Sequence, residues 1–153
     1  MLFLGKSEHT IDEKLRLSIP ARYRLAGPSA EEPAPPMTWV GIALEGGPLR
    51  LYREEDFAKL SERYQDGLLQ SADVARAELD LYSSAELLRM DGGGRVTLSR
   101  DMMDTAGLGR AVVVAGAKSR LEVWDKARWD AEEQSRRGRV RELITRPEGL
   151  GRG

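Results

Sequence analysis

The chain has 153 residues, with 41% hydrophobic and 32% charged side chains, the balance of an ordinary folded protein of one compact domain or two small ones. It has no cysteine, which excludes disulfides, thiol nucleophiles and thiolate metal sites, and it has no apolar run near the ~18 residues that span a bilayer. A formal net charge of −1 provides no overall field for nucleic acid, so such a role needs a local cationic patch.

The start, Met1-Leu2-Phe3-Leu4-Gly5-Lys6, lacks a basic region followed by a long apolar core and is not expected to be a signal peptide. A strand is predicted over Gly5–Ile11. Then comes a charged loop, Asp12-Glu13-Lys14-Leu15-Arg16, which opens a stretch, 14–24, holding four cations and no anion. A short alternating strand, Leu17-Ser18-Ile19, leads to Pro20, a residue suited to a first helical turn. The four prolines of 27–38 predict a loop. Strands are predicted at Trp39–Leu44 and Leu49–Tyr52. An amphipathic helix follows, with Phe57, Leu60 and Tyr64 at i, i+3 and i+7 behind an acidic first turn. A helical connector near Ser71–Leu81 presents Val74, Ala77 and Leu81 on one side.

The same plan then returns. Asp91-Gly92-Gly93-Gly94-Arg95 stands 79 residues after Asp12–Arg16, and Tyr52 falls on Trp124 at a spacing of 72. The second copy predicts strands at Ala85–Met90, Val96–Leu98, Val112–Ala115 and Leu121–Trp124. Ser99 is read as a helix cap, Gly107 as a helix stop, and Asp125 as the cap of a helix anchored by Trp129. The seven-residue difference in spacing falls in the proline-rich loop. The expected organisation is a first half over 1–67, a helical connector over 68–81, a second half over 82–137, and a basic, disordered tail over 138–153. From Arg136 onward there are six arginines against two glutamates. Neither half buries much alone, so the two are expected to close a shared barrel.

Arg16 and Lys14 sit at a loop tip, where an arginine grips phosphate or reaches guanine, or simply pairs with Asp12 across its own turn. Asp12 would repel phosphate and is read as structuring its loop through backbone N–H groups; Asp91 stands at the equivalent place. Arg95 follows three glycines and is read either as a second contact or as a flexible or subunit-facing turn. Arg22 and Arg24 flank Tyr23, so at most one of them faces what Arg16 faces. His9, the sole histidine, has no partner for a metal site and reads as a strand residue. No hydrolase, kinase or zinc-enzyme motif is present, and no cofactor or small-molecule substrate is expected. The aromatics Trp39, Tyr52, Phe57, Trp124 and Trp129 read as packing residues of the core or of a subunit interface.

The run Gly5…His9-Thr10-Ile11-Asp12-Glu13-Lys14-Leu15-Arg16-Leu17-Ser18-Ile19-Pro20-Ala21-Arg22-Tyr23-Arg24 and the run Leu121–Trp129 together resemble the MraZ family of bacterial transcriptional regulators. The resemblance implies an α+β, mostly β fold of two AbrB-like (swapped-hairpin) ββαββα-type halves, forming a pseudo-two-fold barrel with flanking helices. It also implies a cytoplasmic, nucleoid-associated homo-oligomeric ring that binds short direct repeats of double-stranded promoter DNA and usually represses the division and cell-wall cluster. The family arginine falls on Arg16, with Lys14 beside it and Arg22 and Arg24 at family basic positions. Family members usually carry glycine where Leu15 stands. Leucine resists a positive φ, so the first loop is expected to be shaped differently from the family's. A non-enzymatic scaffold of the same fold with weakened DNA binding is the alternative reading.

Overall fold

A computed structural model describes residues 2–24, 37–63 and 67–146. Tyr64, most of the proline-rich loop and residues 147–153 lie outside the described residues. In chain order the elements are β1 (Lys6–Thr10), β2 (Arg16–Ser18), a 3-10 turn (Ala21–Tyr23), β3 (Thr38–Ala43), β4 (Leu49–Arg53), α1 (Glu54–Ser61) and α2 (Ala72–Ser84). The second copy follows with β5 (Glu86–Arg89), β6 (Arg95–Thr97), α3 (Arg100–Ala106), β7 (Ala111–Ala117), β8 (Arg120–Asp125), α4 (Lys126–Ala131) and α5 (Glu133–Thr145).

The fold is α+β and mostly β, as expected, and the two copies exchange strands. Six strands form one antiparallel sheet in the order β1-β7-β8-β4-β3-β5, and β2 pairs with β6 in a separate ribbon. The six-strand order reads the same backwards once each strand is replaced by its counterpart in the other copy. The registers obey the same symmetry. At the centre Arg50 faces Glu122, flanked by Leu49 opposite Val123 and Leu51 opposite Leu121. In the ribbon Leu17 faces Val96, flanked by Arg16 opposite Thr97 and Ser18 opposite Arg95. A pseudo-two-fold axis therefore passes through Arg50–Glu122 and Leu17–Val96.

The expected closed barrel does not form among the described residues. The sheet ends at β1 and β5, which pair only with β7 and β3. Its open side is covered by the ribbon, the 3-10 turn and α3. One core fills the space between, including Leu17, Tyr23, Trp39, Leu51, Val96, Met102 and Val123, all almost fully buried. Each large side chain there contributes about 1.5–3 kcal/mol by leaving water.

Local signals explain most of the elements. Ser99 accepts a hydrogen bond from Met102 N–H at 3.1 Å and so caps α3, which stops at Gly107 with φ +63°. Ser71 caps α2 in the same way, through Val74 N–H. Two helical readings need correction. Asp125 stands at the start of α4 but makes no cap bond there; its Oδ1 accepts from Gly109 N–H at 2.9 Å instead. Residues 138–145, expected as disordered tail, belong to α5, where Arg137–Glu133 at 3.0 Å is an i, i+4 pair of the kind that supports a helix.

One residue before β1, Phe3, is part of the core, while its neighbours Leu2 and Leu4 are exposed. Phe3 is buried, packs edge-on to Tyr23 at 5.6 Å, and bonds through its backbone to Lys118. Gly116 makes this approach possible: a Cβ at that position would lie 2.5–2.6 Å from the backbone of Phe3 and Leu4. Backbone cannot swing aside as a side chain can. Gly116→Ala is expected to destabilise the protein by about 1–3 kcal/mol, roughly 3–10 °C in a thermal melt. Gly92→Ala, where nothing lies within 4 Å, should melt like the parent.

Candidate nucleic-acid interface

The loop 12–16 is built around the Asp12 carboxylate. Oδ1 accepts from the backbone N–H groups of Lys14 and Arg16, both at 2.9 Å, and Oδ2 accepts from Arg16 Nε at 2.7 Å. Leu15 N–H closes the turn on Asp12 C=O at 3.0 Å, and Asp12 N–H donates to Arg16 C=O at 3.1 Å. The loop 91–95 repeats every bond. Asp91 Oδ1 accepts from Gly93 N–H at 2.9 Å and Arg95 N–H at 3.0 Å, and Oδ2 accepts from Arg95 Nε at 3.0 Å. Gly94 N–H again closes the turn at 3.0 Å.

The expectation that Leu15 reshapes the first loop is overturned. Leu15 takes φ +61°, in the same left-handed region as Gly94 at +77°. For a leucine this costs on the order of 1–2 kcal/mol, and tertiary contacts offset it. The Leu15 side chain packs against the core edge, and its C=O accepts from Leu98 N–H at 2.8 Å. The counterpart bond, Ile19 N–H to Gly94 C=O at 2.9 Å, supports the second loop.

Each Asp–Arg pair spends the arginine's Nε on its own loop. The far nitrogens of both guanidinium groups, Nη1 and Nη2, have no partner among the described residues. The ion pair with Asp12, one of the two sequence readings of Arg16, is present, and it orients the cation without consuming its outer donors. Leu17 and Val96 point into the core, so Arg16, Ser18, Arg95 and Thr97 share the outer face of the ribbon. Arg16 and Arg95 are diagonal neighbours there, roughly 7–8 Å apart at Cα. The two loops thus deliver their arginines to one surface, flanked by the exposed hydroxyls of Ser18 and Thr97. Those hydroxyls were not among the candidates. The alternation that buries Leu17 and Val96 was the signal for them.

The other candidates separate. Lys14 is exposed at the tip of the first loop, beside the equally exposed Glu13. Arg22 turns toward the start of β1: its guanidinium lies against Gly5 and reaches Ser7 Oγ at 3.5 Å. Arg24 crosses to the second loop, where its guanidinium lies directly over Gly94 and its Nε is buried. A side chain at 94 would collide with it. The counterpart of Arg24 in the second copy is Met103, which lines the same shallow depression as Leu15. His9 bonds Ser7 Oγ through Nε2 at 2.7 Å, and partial burial, with Arg22 adding to it, holds its pKa below the usual value. No group of three or more metal-ligating side chains occurs among the described residues.

Comparison with known proteins agrees with this architecture. A protein named transcriptional regulator MraZ from Chlorobium luteolum is 31% identical over 149 residues, covering 94% of this chain and 97% of its own. The chain belongs to the MraZ family. The MraZ of Pelodictyon phaeoclathratiforme is 32% identical over 94% of this chain and 97% of that one, and the MraZ of Nitratidesulfovibrio vulgaris is 36% identical over 85% of each. The family described as "MraZ protein, putative antitoxin-like" matches residues 81–141, the second copy with α5. These relatives are named as regulators of transcription. No helix among the described residues is long and apolar enough to cross a membrane.

Two expectations follow from the loops. The Arg16 N–H bond above all lowers the Asp12 pKa, and the Arg95 N–H bond does the same for Asp91. A pKa lower folded than unfolded adds stability that is complete above the ordinary Asp value of about 3.9 and is lost as pH falls through the lowered one. Replacing both with Asn should flatten the loss of melting temperature below about pH 4. Leu15→Gly should stay within about 1 kcal/mol of the parent, since relief of strain offsets lost packing, whereas Leu15→Ile should cost more than that because a β-branched residue resists positive φ.

Proposed function

We propose that the protein is a sequence-specific DNA-binding transcriptional regulator. It acts on the nucleoid in the cytoplasm, represses the division and cell-wall gene cluster including its own promoter, and binds short direct repeats as an oligomeric ring. Its contact surface is the outer face of the β2–β6 ribbon with the loops at its two ends. The observation that carries this reading is the pair of braced arginines, Arg16 and Arg95, on one exposed face with their outer donors free. A two-stranded ribbon is one of the shapes that the major groove admits, and guanine there offers two acceptors to an arginine. Lys14 adds charge at one end of the ribbon and Arg24 at the other. Arg22 is more remote and contributes through the general field.

One subunit carries few such cations, and the chain as a whole is slightly acidic. Identical subunits spaced along consecutive repeats multiply a weak contact through effective concentration. The scaffold alternative rested on Leu15 and on the acidic balance of the chain; Leu15 adopts the loop conformation all the same, and the acidic balance stands. The reading assigns no reaction to the protein.

Gel shift on the DNA upstream of its own coding region is the test. Arg16→Ala should abolish specific binding while leaving the thermal melt within about 1 kcal/mol, and Arg95→Ala should weaken binding more mildly. The slope of log affinity against log salt should fall by roughly 0.9 for each phosphate contact removed. Unchanged binding by Arg16→Ala would overturn the assignment.

A further inference from the structure

Helix α5 carries an apolar strip that nothing among the described residues of the subunit covers. Val140, Leu143 and Ile144 lie at i, i+3 and i+4 and are 56%, 49% and 70% exposed. The helix is anchored at its first turns, where Arg136 stacks on the Trp129 ring at 3.6 Å and donates to Trp129 C=O at 2.6 Å. Beyond that point it leaves the fold. Thirteen residues held at one end are marginal as a helix in water, so the strip calls for a partner.

In the first copy an open groove of about 520 Å³ runs between α1, α2 and the outer face of β3 and β4. Ile42, Phe57 and Leu60 line its floor, and Val74, Ala77 and Leu81 form its α2 wall. Val74 and Leu81 are solvent-exposed despite facing this apolar lining. The charges are complementary. Helices α1 and α2 carry six carboxylates against two cations, whereas α5 carries four arginines against two glutamates. The two helices hold corresponding places, since each follows the last helix of its copy. In the first copy Tyr82 of α2 folds back over Phe57 at 5.8 Å. In the second copy no α5 aromatic takes that place: Arg136 stacks on Trp129, the counterpart of Phe57, with Lys6 Nζ over the same ring at 5.5 Å.

We infer that α5 of one copy of this chain seats Val140, Leu143 and Ile144 in the α1–α2 groove of the next, with its arginines against the acidic helices. Two different surfaces are joined, so the contact is head-to-tail, and repeating it gives a closed ring if the rotation closes. The inference rests on the oligomer in the function proposed above and names the surfaces that build it.

The full chain has no native cysteine, so Ala77→Cys with Leu143→Cys gives a clean pair for a short bismaleimide. Expected is a ladder of covalent oligomers from the double variant and none from either single variant. Leu143→Glu with Ile144→Glu should reduce the mass in light scattering to that of one chain that still melts cooperatively, because both positions are exposed on the single chain. A wild-type chain that is itself monomeric overturns the oligomer and this contact together. A wild-type oligomer with no ladder, or one that survives the glutamate pair, overturns this contact alone and leaves the oligomer standing. A glutamate variant that remains oligomeric but loses affinity for DNA or for phosphatidylglycerol vesicles assigns the strip to that partner and also overturns the contact.

Discussion

Everything in this fold depends on the exchange of outer strands between the two copies. Strand β1 pairs with β7 and β5 pairs with β3, so neither copy owns a complete sheet. The central pairing of β4 with β8 and the ribbon of β2 with β6 also join one copy to the other. A single copy would leave a few short strands with one apolar side open to water, which is marginal at best. Interlocked, the copies bury one continuous core beneath a six-stranded sheet. The ribbon exists only because of this arrangement, and the ribbon is what places Arg16 and Arg95 side by side.

The loops show how exposed cations become geometrically defined. A free arginine on a surface gives up several rotatable bonds when it grips a ligand. Here a carboxylate four residues earlier holds Nε and two backbone N–H groups, so the guanidinium is oriented before any partner arrives. The acid, which by charge alone would repel phosphate, therefore serves the base. Its depressed pKa records the same bonds from the side of the proton.

Much of this was legible in the residues. The return of Asp12–Arg16 as Asp91–Arg95 gave the two-copy plan, and alternation in Leu17-Ser18-Ile19 and Val96-Thr97-Leu98 gave the ribbon strands. The structuring role of Asp12 followed from its charge. The strand exchange was implied only by the swapped-hairpin resemblance and not by the residues themselves, because periodicity marks a strand and says nothing about its neighbour; for the same reason an open sheet could not be told from the expected barrel. The conformation of Leu15 was misjudged because local φ preference was weighed without the Leu98 hydrogen bond and the core edge that sustain it. Arg22 and Arg24 were expected to point different ways because they flank Tyr23, but which way each points was not legible: the turn sends Arg24 to Gly94 and Arg22 to Gly5. Residues 138–145 were read by composition as tail, although their i, i+3, i+4 apolar spacing already had the helical period.

The unequal support of the two loops constrains how the duplicated halves could have diverged. Gly94 lies beneath the Arg24 guanidinium, while Leu15 shares its depression with Met103. A Cβ at 94 would strike the Arg24 guanidinium, so a change at 94 is coupled to Arg24, whereas the side chain at 15 opens onto a shallow depression whose other wall includes Met103. The internal symmetry of the fold is in that sense a paired set of locks, cut to the same outline and keyed differently.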